Sequence, residues 1–149
     1  MKLLNALLGS GLMAVSVLAV AGDMGTPDEA KAMSEKAAAL VNEKGESAFD
    51  DFSKEGGDFL MKDLYVFCMD LEGKMLSHAV KPQLVGKNLM EFDKYGDKLF
   101  VNMIETAKSG EGWVDYKWPR PGSEDITEKT SYVIKNDKGF FCGVGAYKS

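Results

Sequence analysis

The chain has a single histidine, His78, and only two cysteines, Cys68 and Cys142, among its 149 residues. One histidine cannot build a His-rich metal site, and neither a CxxC for thiol exchange nor a CxxCH for haem attachment is present. A Cys-His nucleophile would have to pair one of these cysteines with His78. Both cysteines lie inside apolar runs, residues 64–69 and 140–147, where a thiolate is disfavoured. Clusters of Lys and Arg are also missing and the net charge is −5, which excludes the clustered positive charge that phosphate backbones require and disfavours anionic membranes. Asp50-Asp51 and the stretch between Asp93 and Asp97 read as solvated faces rather than calcium ligands. The composition therefore predicts no enzyme, no cofactor, no metal and no nucleic-acid partner.

What is there begins with residues 1–21, a targeting signal. Lys2 supplies a positive charge, residues 3–20 are apolar with small-residue interruptions, and Ala19-Val20-Ala21 is a small-x-small cleavage site. The mature chain is expected to start at Gly22, outside the cytoplasm. The apolar run is nearly long enough to span a bilayer, so an uncleaved anchor is the competing reading. No second run of that length follows. Export would mature both cysteines in an oxidising compartment, where a Cys68–Cys142 disulfide is allowed. Buried cysteines also serve as small hydrophobes, so the bridge is not required.

Residues 22–149, with 45% hydrophobic and 28% charged residues overall, amount to one globular domain. Thr26-Pro27-Asp28-Glu29 combines a threonine N-cap, proline at the first helical position and a capping-box glutamate. The helix it opens carries Ala30, Met33, Ala37, Leu40 and Val41 as a narrow apolar stripe, and Gly45 ends it. A short second helix over 46–54 brings Phe49 and Phe52 to one side. Residues 64–69 are an unbroken apolar run, a strand covered on both faces. Asp70 to Gly73 turns the chain into a return strand over 74–78, and Pro82 and Gly86 then force it to leave the sheet and fold back over it. Residues 89–95 have no clear period; 97–109 form a helix with Leu99, Phe100, Met103, Ile104 and Ala107 inward.

Three strands follow, over 112–118, 130–135 and 140–147, with residues 119–128 as a polar connection. In the first, Val114, Tyr116 and Trp118 share one face and Trp113, Asp115 and Lys117 the other. Gly143 and Gly145 bare one face of the last strand, as happens where a ligand or another backbone approaches closely. A hairpin, a helical crossover and a three-strand meander make an α+β fold: a five-stranded, mostly antiparallel sheet with an N-terminal helix.

Residues 60–147 resemble, in unbroken order, the single Cache domains of bacterial extracytoplasmic sensors, a PAS-like fold. The resemblance rests on Leu64-Tyr65-Val66-Phe67 to Asp70, on His78 followed by Lys81-Pro82 and Leu84-Val85-Gly86-Lys87-Asn88, and on Gly112-Trp113-Val114-Asp115-Tyr116 with Trp118-Pro119. It continues through Lys129 with Ser131-Tyr132-Val133 and closes on Gly143-Val144-Gly145-Ala146-Tyr147. Ala79 and Glu128 stand where the family often has proline.

The resemblance implies a pocket on one face of the sheet, roofed by the segment after His78 and the helix from Asp97, that binds a short carboxylate such as acetate, propionate, pyruvate or lactate. Lys129, Tyr132, Tyr116, Tyr65 and His78 would supply the cation and hydrogen-bond donors an anion needs in a dry cavity, and Trp113 or Trp118 its apolar wall. Because Trp113 and Tyr116 point to opposite faces, Tyr116, Trp118 and Tyr132 are the favoured set. A ligand this small, at a ceiling of roughly 1.5 kcal/mol per heavy atom, reaches micromolar affinity at best. The chain ends at Ser149, directly after the sensor region. It is therefore expected to be a stand-alone ligand-binding module for signal transduction or chemotaxis, reporting to a membrane sensor kinase or chemoreceptor. The alternative is a structural or interaction protein with a filled pocket, docking on a partner or forming a homodimer through the N-terminal helix stripe.

Overall fold

A computed structural model describes residues 23–148; the predicted signal segment 1–21 lies outside them. The elements run α1 (Pro27–Lys44), a 3-10 turn (Gly45–Ser47), α2 (Ala48–Phe52), β1 (Val66–Asp70), β2 (Met75–His78), a second 3-10 turn (Pro82–Leu84), α3 (Leu99–Lys108), β3 (Glu111–Pro119), β4 (Ile126–Lys135) and β5 (Phe140–Tyr147). All five strands pair antiparallel in one sheet of order β2-β1-β5-β4-β3. The last strand therefore inserts beside the first, and the sheet is fully rather than mostly antiparallel.

The capping box at α1 forms as its residues dictate: Thr26 Oγ1 accepts from the Glu29 N–H at 3.1 Å, and Glu29 Oε2 accepts from the Thr26 N–H. At the β1–β2 turn, Asp70 Oδ1 accepts from the N–H groups of Glu72 and Lys74, both at 2.9 Å, and Gly73 takes a φ of 97°.

Two cores cover the two faces, which explains why β1 and β5 do not alternate in polarity. On one face Ala30, Met33, Ala37 and Val41 of α1 pack on Val66, Cys68, Cys142 and Val144. Cys68 and Cys142 are directly opposite in the β1–β5 register and are disulfide-bonded, which settles the open pairing. The α1 stripe is thus buried within the chain, and a dimer through this helix would use its outward face instead. On the other face α3 lays Leu99, Phe100 and Met103 over Phe67, Met69, Val133 and Phe141.

Several boundaries differ from expectation, three of them around the site. The strand read over 64–69 begins at Val66, and Leu64 and Tyr65 are buried lead-in. Helix α3 starts at Leu99, with Lys98 and not Asp97 at its cap. β4 starts at Ile126, inside the stretch read as a connection. Residues 126–128 pair with β3 through Pro119↔Ile126, Trp118↔Thr127 and Lys117↔Glu128 and lie beyond the β4–β5 ladder, so Ile126 and Glu128 stay exposed although extended.

Candidate functional site

The site lies on the α3 face of the sheet and is built by register. Lys129 on β4 is directly opposite Tyr116 of β3 on one side and Tyr147 of β5 on the other. Residues opposite one another point to the same face, so the three side chains stand in a row. Tyr65, arriving just before β1, closes over them. The Lys129 side chain is 1% exposed. Its Nζ donates to the Tyr65 hydroxyl at 2.9 Å and sits 4.2, 4.7 and 5.9 Å from the ring centres of Tyr65, Tyr147 and Tyr116.

Room for this lysine comes from Gly145: a Cβ there would strike Lys129 Cε and Ser131 Oγ. Gly143 likewise clears Phe67, whose Cζ would lie 2.7 Å from an added Cβ. The glycine pair marks a close approach, as its sequence implies, and what approaches is the site's own lysine and phenylalanine.

The phenols are tied down. Tyr116 shares a 2.7 Å hydrogen bond with Ser131 Oγ, Tyr147 donates to the Pro119 carbonyl at 2.7 Å, and the hydroxyls of Tyr65 and Tyr147 are 3.4 Å apart. Burial pushes the Tyr65 and Tyr116 hydroxyls well above the ordinary range and Tyr147 up to about 12. All three remain neutral donors at physiological pH.

His78 ends β2, its ring 5.0 Å from that of Tyr65 and 6.2 Å from that of Trp118. The backbone N–H groups of Lys81 and Val80 donate to its Nδ1 at 2.8 and 3.3 Å. An Nδ1 that accepts leaves the proton on Nε2, so His78 is a neutral imidazole with one donor to offer. Burial, with Lys129 and Lys81 nearby, lowers its pKa to about 3. Burial likewise brings Lys129 down to about 7, with the Asp63 carboxylate acting in the opposite direction. Among the described residues no carboxylate lies within 4 Å of Lys129 Nζ.

Trp118 forms the wall between His78 and the roof, where Phe92, Tyr95 and Phe100 pack around its indole at 5.6–5.8 Å. The segment after β2 folds back as expected: Met75 N–H donates to the Lys87 carbonyl, Gly86 N–H to the Met75 carbonyl, and Leu89 N–H to the Gly73 carbonyl. It therefore pairs along the β2 edge before crossing to α3.

The dry cleft itself is nearly shut. Tyr65, His78, Tyr116 and Trp118 meet Phe67, Met75, Phe100 and Met103 around a space of about 10 Å³, room for about one water molecule. A separate open groove of about 380 Å³ reaches Tyr116 and Lys129 from solvent, with Tyr95 and Asp97 on one bank and Asp115, Glu128 and Lys148 on the other.

Five of the six expected site residues, Tyr65, His78, Tyr116, Trp118 and Lys129, converge. Tyr132 does not. It is three residues from Lys129 on one strand, and strand alternation sends it to the α1 face. There its hydroxyl donates to Glu111, its ring meets Trp113 at 5.0 Å, and its carbonyl accepts from Ser34 Oγ. Trp113, 42% exposed, is likewise on the wrong side to be a pocket wall. Tyr147 was missed as a site residue. Counting on by two from the same strand's bare glycines, Gly143 and Gly145, reaches it.

The family model for Single Cache domain 2 matches residues 12–149 of the chain. A sensor histidine kinase of Rhizobium johnstonii, MctS, is 36% identical over 88 residues, and a methyl-accepting chemotaxis protein of Pseudomonas putida, McpP, 34% over 88. Those stretches are 58% and 57% of this chain but only 19% and 16% of the relatives. Among solved structures, a Cache chemosensory domain described for carboxylic acid recognition superposes with a TM-score of 0.72 at 25% identity, covering 82% of this chain and 92% of that one. The periplasmic sensor domain of a chemotaxis protein gives 0.61 at 28%, covering 82% and 90%.

Proposed function

The chain belongs to the Single Cache domain 2 family, and from that premise we propose that it is an extracytoplasmic sensor domain that binds a short carboxylate at Lys129. The observation that carries this reading is a fully buried lysine whose only hydrogen-bond partner among the described residues is a neutral phenol. Burying a cation without an opposite charge is costly, and a carboxylate is the partner that relieves the cost. Lys129 Nζ, the Tyr65 hydroxyl and His78 Nε2–H would hold the two oxygens of acetate, propionate, pyruvate or lactate, while Phe67, Met75, Phe100 and Met103 would enclose its carbon chain. That a solved neighbour is described for carboxylic acid recognition supports the same class. The reader of the bound state would be a membrane sensor kinase or chemoreceptor, the kinds of protein its relatives are.

Even the smallest of these acids exceeds a space of about 10 Å³. Binding therefore needs the roof around Trp118 and residues 89–95 to move outward. The closed packing favours one other reading, a filled scaffold that docks on a receptor without a ligand.

Thermal unfolding with acetate, propionate, pyruvate and lactate separates them. A binder gains about 2.7 kcal/mol at a ligand concentration a hundred times Kd, and the gain disappears in Lys129→Met. If none of the four acids shifts the transition at millimolar concentration, the sensor reading fails and the scaffold stands.

A further inference from the structure

The groups that face Lys129 come from every element around it, and none is an anion in contact. Tyr65 precedes β1, Tyr116 is on β3 and Tyr147 on β5, all three neutral. His78 on β2 is a neutral imidazole held by two backbone donors. Helix α3 brings Phe100 and Met103, both apolar, to the small cleft that Tyr65, Tyr116 and His78 share. The Asp63 carboxylate is beyond 4 Å and uses Oδ1 to accept from the Gly25 N–H. Asp97, Asp115 and Glu128 line the solvent groove, opposed by Lys117 and Lys148. Among the described residues an ammonium in this position touches only phenol oxygens and ring faces, with the Asp63 carboxylate farther off, so above about pH 7 the free protein holds the uncharged amine.

A bare carboxylate entering the same face would be a second isolated charge in a medium that resists charges. We propose that uptake is coupled to a proton: the carboxylate and one H⁺ enter together, the proton settles on Lys129 Nζ, and the site passes from no net charge to a neutral ion pair. The inference rests on the carboxylate reading above. The step is R–COO⁻ + H⁺ + Lys–NH₂ → Lys–NH₃⁺···⁻OOC–R, in which one N–H bond forms and no bond in the ligand breaks. The sensor then responds to the product of acid and proton concentrations rather than to the acid alone.

The sign follows from where the free lysine titrates, about 7, and from the anion raising that value when bound. Below pH 7 the lysine is already charged and affinity is flat. Above it each binding event draws a proton from solution, and Kd rises about tenfold per pH unit. The ligand carboxyl is ionised throughout this range and adds no slope.

Calorimetry of acetate, propionate, pyruvate and lactate at pH 8, in phosphate and in Tris, reads the proton directly from the dependence of apparent enthalpy on buffer ionisation heat. Close to one proton taken up per ligand is expected, with about tenfold weaker binding at pH 8.5 than at 7.5. Binding with no proton uptake and a flat Kd from pH 6 to 9 overturns the coupling and leaves the sensor reading intact; no binding at any pH removes both. If Lys129→Met still binds with the same uptake, the proton goes elsewhere and the assignment is wrong. Should that variant not fold, the ¹³Cε titration of the wild-type lysines decides. A lysine titrating near neutrality that moves beyond pH 9 with ligand is expected, and one that keeps its ordinary value in the free protein refutes the proposal.

Discussion

Replacing Lys129 by methionine should make the ligand-free protein more stable, an unusual outcome for truncating a fully buried residue. Folding brings this amine from its ordinary 10.5 to about 7, and at about 1.4 kcal/mol per pH unit that costs the folded state on the order of 4 kcal/mol at neutral pH. Against this stand the hydrogen bond to Tyr65 and the contacts with three tyrosine rings, together roughly 2–3 kcal/mol. Methionine fills most of the lysine's volume with a polarisable chain. The balance is a gain of about 1–2 kcal/mol at pH 7, or several degrees in Tm for a domain of this size. The pH dependence is the discriminating part. Because the folded value is depressed, the unfolded chain holds the extra proton between about 7 and 10.5, so wild-type stability climbs as pH rises through that window. By the same arithmetic the advantage of Lys129→Met vanishes at about pH 8.5 and reverses by about pH 10. Urea unfolding of both proteins, disulfide intact, at pH 7 and pH 9.5 tests this. A variant less stable at pH 7, or an equal difference at both pH values, would refute the account of Lys129 as an uncompensated buried amine.

Gly145→Ala puts a methyl group against Lys129 Cε and Ser131 Oγ; it should cost about 1–3 kcal/mol by overpacking and weaken acid binding at least tenfold, whereas unchanged binding would mean that Lys129 is not at the ligand. Replacing Cys68 and Cys142 together by alanine opens a link across 74 residues of sequence, with an expected loss of about 4 kcal/mol by loop entropy. Urea midpoints would show it, while binding to the folded variant should persist because the bridge lies on the α1 face. Tyr132→Phe should leave ligand-induced thermal shifts unchanged, since the ring is on that same face; loss of the shift would contradict the assignment of the two faces.

Much of this fold can be read from residue order because local rules agree. Thr26-Pro27-Asp28-Glu29 caps α1, Asp70 to Gly73 turns the first hairpin, and unbroken apolar runs around Val66 and Val144 announce strands covered on both sides. The same logic fails where burial and extension part company. Residues 126–128 are extended but run past the β4–β5 ladder, so no buried alternation announces the strand there. The candidate site was legible residue by residue but not as a set. Lys129 with Tyr132 looks like a motif along the chain, yet period two divides the pair between faces, while Lys129, Tyr116 and Tyr147 are joined only by cross-strand register. The near-closure of the cavity could not be read at all. It depends on how Phe92, Tyr95 and Phe100 seat around Trp118, and residues 89–95 carry no period to announce it.

Closure and the buried amine are two aspects of one arrangement. In an open cleft water would solvate Lys129, its affinity for protons would be ordinary, and an arriving carboxylate would displace water for little net gain. Shutting the face under Trp118 removes that water, so the amine gains much more from an anion than it would in solvent. On the proposed reading a carboxylate would have to part the aromatic roof to collect this gain, and the size of the gain is what would let it do so. A molecule of a few heavy atoms has a limited interaction energy, roughly 1.5 kcal/mol per atom at best. It shifts a conformational equilibrium only by the difference in its affinity for the two states. Placing most of that difference in one uncompensated lysine would make so small an acid, on the proposed reading, sufficient to move the segment between His78 and α3. That segment, paired along the β2 edge at one end and stacked on Trp118 at the other, is the part of the fold from which a receptor could read the occupied state.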